Sequence, residues 1–397
     1  MRPRGYVRRV GAALAALALG ATFAVTAVGG AAASAATAKK SPLVVGSIAS
    51  TQGPCLPQPS NDVPTATANW AKYVNRHGGI AGHPVKLIQY NDNCDTGQSV
   101  ADAQKLIGAH ALAILDNTEF DSNWDAAVQA AGIPVICGIE TGNNPNCFTN
   151  SNSFPTGATV LAGLYGNVLA AKKAGAKSFA VVYCVEVAAC AQALPLFKNY
   201  SAQLGLTYSN PLAASETAPN YTAQCLTFSS EHAESIFPAG PPSDKFATDC
   251  AKQGYKPIIT QSAGTWLNRY LSVSALNHST GTFPDTPWFL KNKATKAFRA
   301  AEGKLINSSY SPYNVSGAWA AGLLFQTAAA KVGAHPTTQD IYNGLYAADG
   351  TTLGGFTPPL HFTKGKPGTV NCFFIVSIKN GKFVAPQGAK TSCQPAS

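Results

Sequence analysis

Four short apolar runs in the first third of the chain stop abruptly in polar residues, and a helical or turn pattern follows each stop. LVVGSIAS (43–50) ends in Ser50, Thr51, Gln52 and Gly53, and VKLIQY (85–90) ends in Asn91, Asp92, Asn93, Cys94 and Asp95. ALAILD (111–116) ends in Asn117, Thr118 and Glu119, and IPVIC (133–137) ends in Gly138, Ile139, Glu140 and Thr141. Strands alternating with helices at this spacing are βαβ units, which build a parallel sheet. The strand ends of such a sheet open on one edge, where backbone donors and short side chains gather and where ligands bind.

Local signals agree with this layout. A helix is expected over 65–77, with Trp70, Tyr73 and Val74 on one face and Gly78-Gly79 as its stop. Asp95 is placed to cap the next helix and Gln98 to close a capping box, with Val100, Ala103 and Ile107 facing the core. From Gly157 a long helix leads into SFAVVYC (178–184), and SIFP (235–238) and KPIIT (256–260) continue a second set of units, with helical segments at 189–204 and 243–253 between them. A second α/β lobe of similar plan follows. NNPNCFTNSNSFP and HSTGTFPDTP, between the lobes, read either as crossover strands and hinges or as ordinary surface loops. The last third offers helices at 313–332 and 339–347, then CFFIVSIKNGKFV, in which Asn380-Gly381 signals a hairpin. The tail from Ala385 would fray unless Cys393 ties it back, with Cys372 as the partner.

The first 38 residues combine a basic start, an apolar middle and small residues at an A-x-A site, the pattern of a secretory signal peptide cut after Ala35 or Ala38. An uncleaved anchor is the other reading, since the apolar stretch approaches the length of a membrane span. Cleavage at Ala38 leaves 359 of the 397 residues, more than the roughly 250 to 300 over which one core keeps growing, so two lobes are expected. It also removes four arginines, taking the formal charge from +10 to +6. The remaining lysines are scattered rather than grouped with aromatics, which excludes a nucleic-acid-tracking surface.

All ten cysteines (Cys55, Cys94, Cys137, Cys147, Cys184, Cys190, Cys225, Cys250, Cys372 and Cys393) follow the leader, an even number that suggests disulfides in an exported chain. There is no C-x-x-C and no H-E-x-x-H, so no metal site is expected. Neither a G-x-S-x-G elbow nor a phosphate loop is present. The seven histidines lack partner spacing. Asp92 and Asp95 read as a carboxylate pair for calcium or acid/base work or, more simply, as cap and loop formers. Cys184 and Cys190 read as a reactive pair or as halves of structural bridges to Cys225 or Cys250. No enzyme and no cofactor is expected; binding without turnover fits strand ends that present mostly neutral groups.

The stretch GGIAGHPVKLIQYNDNCDTGQSVADAQKLI closely resembles the matching segment of the leucine/isoleucine/valine-binding protein family, the type I periplasmic binding proteins of ABC importers. GIPVICGIET, KSFAVVYC, CAKQGYKPII and SPYNVSGAWAAGLLFQTAAAKVG follow in the family's order. The resemblance implies an α/β fold of two Rossmann-like lobes with parallel sheets, joined by three crossovers around a ligand cleft. Lobe 1 would comprise 41–156 with 285–355, and lobe 2 would comprise 157–284 with 356–397. The implied function is an exported, monomeric solute-binding protein of the branched-chain amino acid/amide type, working in the periplasm or the extracytoplasmic envelope. It would take up a small-molecule solute by hinge closure and hand it to a membrane permease; an extracellular ligand-sensing module of the same fold is the alternative.

Residue by residue, the resemblance carries ligand contacts to Ser50, Thr51, Asn117, Thr118, Glu119, Glu140 and Thr141, the hydroxyls of Thr118 and Thr141 holding a carboxylate. The second lobe departs from the family, since no acid follows KPIIT to pair an ammonium, where only Ser262 and Ala263 stand. Glu140 or Glu186 could substitute; otherwise the ligand keeps a carboxylate or amide and turns a neutral or apolar remainder to Val187, Pro238 and Trp266. Cys94 matches the family's cysteine while its usual partner position, near Asn117, is not a cysteine. Cys55 is the implied replacement, and Cys137 with Cys147 is the next pair.

Overall fold

The computed structural model describes residues 40–56, 58–138, 146–186 and 188–395. The leader, Glu140, Thr141 and Val187 lie outside the described residues.

The apolar runs form a first sheet of five parallel strands: β1 (Leu43–Ala49), β2 (Val85–Asn91), β3 (Ala113–Asn117), β4 (Val135–Cys137) and β5 (Ser153–Pro155), in the order β2-β1-β3-β4-β5. Their crossovers carry α1 (Asp62–Arg76), α2 (Thr96–Gly108), α3 (Asp125–Ala130) and the short α4 (Asn146–Thr149). α1 starts three residues earlier than its periodicity suggests, because Asp62 suits a first turn where backbone N–H groups are unpaired. Asp95 caps α2 by accepting from the Gln98 amide at 2.7 Å. The capping box is not closed, because the Gln98 side chain reaches forward to Asp102 instead of back to the cap.

A second sheet begins after α5 (Val160–Lys173). It holds β6 (Ser178–Cys184), β7 (Thr207–Tyr208), β8 (Leu212–Ala214), β9 (Ser235–Ala239), β10 (Ile258–Gln261) and β11 (Thr280–Phe283), all parallel to their neighbours. Between them lie α6 (Ala188–Gln192), α7 (Leu194–Leu204), α8 (Thr222–Ser230) and α9 (Ser243–Lys252). The sheet is not parallel throughout. β12 (Cys372–Lys379) runs antiparallel to β11, and β13 (Lys382–Val384) and β14 (Ser392–Cys393) run antiparallel to β12. The two-residue turn between β12 and β13 has positive φ at both Asn380 and Gly381, the twist that matches a hairpin and forces the reversed direction.

Before that hairpin the chain returns to the first sheet with α10 (Lys296–Ser308), α11 (Pro312–Ala328) and α12 (Thr338–Ala347). α11 packs on α1, β3 and β4, and its buried residues surround the whole helix, as they must when it is covered on all sides. Trp70 of α1 meets Phe325 of α11 edge-on, with ring centroids 6.2 Å apart. The chain thus passes between the sheets three times, after β5, after β11 and after α12.

Five disulfides account for every cysteine: Cys55–Cys94, Cys137–Cys147, Cys184–Cys190, Cys225–Cys250 and Cys372–Cys393. The second-lobe expectation of a bridge from Cys184 or Cys190 to Cys225 or Cys250 is corrected. Cys225 and Cys250 face each other between α8 and α9 inside the core, whereas Cys184 and Cys190 close a six-residue loop at the end of β6.

Candidate functional site

The polar stop after β2 is a buckle that joins three strand ends. Asn93 and Cys94 both take left-handed backbone conformations, turning the chain sharply out of the strand. The Asn91 side chain accepts from the backbone amides of Thr51 at 3.0 Å and Asn93 at 3.1 Å. Asp92 is fully buried and accepts from Ser50 Oγ at 2.6 Å, the Cys94 amide at 3.1 Å and Thr118 Oγ1. One carboxylate therefore ties the ends of β1, β2 and β3 together, and Cys55–Cys94 staples the β1 loop over it. Asp92 shapes the loop and Asp95 caps α2, as the simpler of their two readings has it.

Glycine makes the corresponding corners possible on both sheets. Gly53, after β1, has φ +116°, and a Cβ there would lie 2.3 Å from the Asn93 carbonyl oxygen and 2.8 Å from Cys94 Cβ. Gly240, after β9, has φ +110°, and its Cβ would lie 2.5 Å from Cys184 Cβ. Each rim thus folds a glycine corner against a disulfide, in a conformation that only glycine takes cheaply.

Between the rims lies a cavity of about 440 Å³, within the range that holds small ligands. Ser50, Leu56, Val63 and Asn117 to Glu119 line it from the first sheet, and Pro238, Gly240 to Ser243, Gly264, Thr265, Leu267, Arg269 and Tyr270 line it from the second. Tyr310, Ser311, Tyr313 and Asn314, at the start of α11, close one side. A second cavity of about 460 Å³ lies at the opposite edge of the second sheet, by His278 and Ile258, where β10 and β11 begin rather than end.

Of the residues expected at the ligand, Ser50, Asn117, Thr118 and Glu119 line this cavity. Thr51 does not; its amide is turned to Asn91. Pro238 lines it, but Trp266 is fully buried in the core, its indole N–H donating to the Thr282 carbonyl at 2.8 Å. Glu186 is not an ammonium partner in the cleft. Its carboxylate accepts from Ser215 Oγ and the Glu216 amide at the β8 rim, and the Ser215 hydrogen bond holds its pKa below the ordinary carboxylate value.

Sequence reasoning missed Arg269, Tyr270, Tyr310 and Tyr313. They reach the cleft through 3₁₀ turns after β10 and through the entry to α11, irregular backbone with no periodic signal. Arg269 is half exposed, donates through Nε to Asp244 at 3.2 Å, and lies against the ring of Tyr270. Its local signal was only an arginine within ten residues of a strand end.

Behind the first rim sits a group of buried acids. Desolvation pushes the carboxyl of Asp116 well above its ordinary value, with the charge of Asp121 adding to the effect. Asp121 is raised to about 7 and Asp125 is raised as well, both chiefly by burial. Glu302 on α10, fully buried against Asn69 of α1, is pushed up to about 7 for the same reason.

Two α/β sheets whose strand ends face a shared cavity define a solute-binding architecture, and comparison with known proteins agrees. The sequence profile of the periplasmic binding protein family matches residues 42–382, and the chain belongs to that family. Its fold is the type I fold of the leucine/isoleucine/valine-binding proteins. Among solved structures, a fatty acid ABC transporter substrate-binding protein from Thermomonospora curvata aligns over 88% of this chain and 92% of its own, with a TM-score of 0.69 at 18% identity. An extracellular ligand-binding receptor from Verminephrobacter eiseniae aligns over 86% and 99%, with a TM-score of 0.70 at 16% identity. A leucine-binding protein from Thermotoga maritima aligns over 86% and 97%, with a TM-score of 0.67 at 14% identity. No curated protein sequence matches the chain significantly. Family membership implies an extracytoplasmic location, and among the described residues no helix is long and apolar enough to cross a membrane.

Proposed function

We propose that the protein is the solute-capturing component of an ABC importer, taking one small molecule into the cleft and delivering it unchanged to a membrane permease. The observation that carries this reading is the cavity lined jointly by the strand ends of both sheets, since a solute contacting both walls stabilises their approach. Leu56, Val63, Leu267, three prolines and three tyrosines line the cavity together with polar side chains such as Ser50, Asn117, Thr118 and Arg269, which suits a small solute with both a polar head and an apolar body. Two of the similar structures are named for fatty acid and for leucine, each a carboxylate with an apolar body.

Isothermal titration with a panel of amino acids, their deaminated acids and their amides tests the reading. One solute is expected to bind saturably at one site and to be recovered with its mass unchanged. Gly264 lines the cavity, and a Cβ there meets only Tyr313 at 3.9 Å, so Gly264→Trp is expected to fill the cavity, abolish binding and keep the melting midpoint. A solute that is consumed, or one that still binds Gly264→Trp, would remove the reading.

A further inference from the structure

The cavity of about 460 Å³ at the far edge of the second sheet shares no lining residue with the cleft. Its walls are graded in polarity. On β12 the alternate residues Ile375, Ser377 and Lys379 line it, passing from buried to half-buried to exposed. On α5 Ala170 is buried, and Lys173, nearly one turn on, is exposed. Ala170 and Ile375 belong to one apolar cluster, with Ile258 packed against it, so each wall runs from a shared apolar floor to a cation at the mouth.

The hydroxyls of the lining are already committed. Ser377 Oγ donates to Thr280 Oγ1 at 2.9 Å, and Thr280 Oγ1 donates to the Val376 carbonyl at 3.4 Å. At the mouth stand Lys173, Lys379 and the exposed ring of His278. No Asp or Glu lines the cavity, and neither lysine forms an ion pair among the described residues. Lys173, in the last turn of α5, suits the negative end of that helix. Lys379 has no such role. It lies directly opposite Lys382 across β12 and β13, a like-charge pair that destabilises the hairpin and that a bound anion would relieve. Beyond His278 the cavity adjoins a groove lined by Lys256 and by Lys252, which is paired with Asp249, and that lining holds no acid either.

We propose that this cavity is a second binding site, separate from the cleft, for a single-chain amphiphilic anion taken from solution. Its apolar chain lies along Ile258, Ile375 and Val384, and its anionic head sits between Lys173 and Lys379. The site joins the two features that such a ligand needs and the cleft does not supply together: a floor continuous with the core and a mouth of unpaired cations.

Calorimetry on Gly264→Trp, designed to fill the cleft, tests the assignment with decanoate, 1-decanol and decyltrimethylammonium, each kept monomeric. Decanoate is expected to bind at one site at least about 10-fold more tightly than the other two, and to weaken as salt is raised. The double exchange Lys173→Gln with Lys379→Gln is expected to bring decanoate down to the level of decanol and to leave decanol unchanged. Ala174→Trp, at an exposed position of the lining, is expected to abolish decanoate binding, and melting midpoints report whether each variant folds. Should Gly264→Trp unfold, titration of the wild-type protein with Ala174→Trp as its blank gives the same readings. Decanol or the ammonium binding as well as decanoate overturns the assignment, as does decanoate binding that survives Ala174→Trp or ignores the lysine exchange. Failure of decanoate to bind overturns it too, and sedimentation with phosphatidylglycerol vesicles that the lysine exchange then abolishes would give these lysines to a membrane surface instead.

Discussion

At the first rim Ser50, Thr118 and the Cys94 amide turn inward to Asp92, whereas at the second rim Pro238, Pro241 and Pro242 lack backbone donors and Arg269 stands half exposed beside Asp244. The first rim uses its polar groups to hold three strand ends in register. The second leaves its polar group where a solute can reach it. Polar residues at a strand end can therefore serve folding or binding, and the partner of each hydrogen bond decides which.

The largest expected effect tests the first half of this contrast. Asp92→Ala strips two buried hydroxyls and an amide of their acceptor and is expected to cost about 3 to 5 kcal/mol in denaturant unfolding. A loss below 1 kcal/mol would mean that the buckle does not hold the rim.

The disulfides sharpen the same comparison. Cys55–Cys94 spans 39 residues and Cys184–Cys190 only 6. In the chain-entropy model their paired replacement by serine costs roughly 4 and roughly 2 kcal/mol respectively, so the first rim is expected to depend more on its staple. Equal losses in matched urea titrations would contradict that ranking.

Acid titration separates the two regions as well. Among the described residues, the acids with raised pKa values (Asp116, Asp121, Asp125 and Glu302) all belong to the first sheet and its helices. Glu302 titrates near 7 in the folded protein against an ordinary 4.5, so between these pH values the unfolded chain has released a proton that the native state still holds. Stability is then fully present below about 4.5 and falls as pH rises toward 7. Glu302→Gln is expected to flatten this slope by an amount on the order of 2 kcal/mol, read from unfolding midpoints across the range. An unchanged slope would assign the pH dependence to the other three acids.

The smallest effect belongs to the second rim. Arg269→Gln breaks one half-exposed ion pair and is expected to change stability by less than about 1 kcal/mol, whatever it does to a ligand. A thermal unfolding loss comparable with that of Asp92→Ala would erase the distinction between the rims.

Much of the first sheet was legible because its strands are continuous apolar runs bounded by caps and glycines, signals that act over a few residues. The NG hairpin was legible for the same reason, but the antiparallel pairing of β12 with β11 follows from where β12 docks, which no local pattern states. β7 and β8, only two and three residues long, carry too little pattern to be seen. At the site, Ser50, Asn117, Thr118 and Glu119 were found because they follow strands directly. Thr51 and Trp266 sit at equally suggestive positions, and only the direction of the side chain or amide excludes them. Arg269 and the tyrosines depend on irregular turns, whose path tertiary packing decides. Asp92 was visible as a loop former; two of its three partners, Ser50 and Thr118, come from strand ends more than twenty residues away in sequence.

The order in which the chain visits its two sheets has a consequence for how the molecule comes into being. α11 completes the core over β3 and β4, yet it is synthesised only after every parallel strand of the other sheet. Until then Trp70 lacks the Phe325 ring and the close approach of Gly322, and the contact that shelters it joins distant stretches of polypeptide, the kind of pairing that forms slowly. A chain truncated just before Pro312 is therefore expected to lose protection from hydrogen exchange throughout the first sheet, although none of that sheet's strands has been touched.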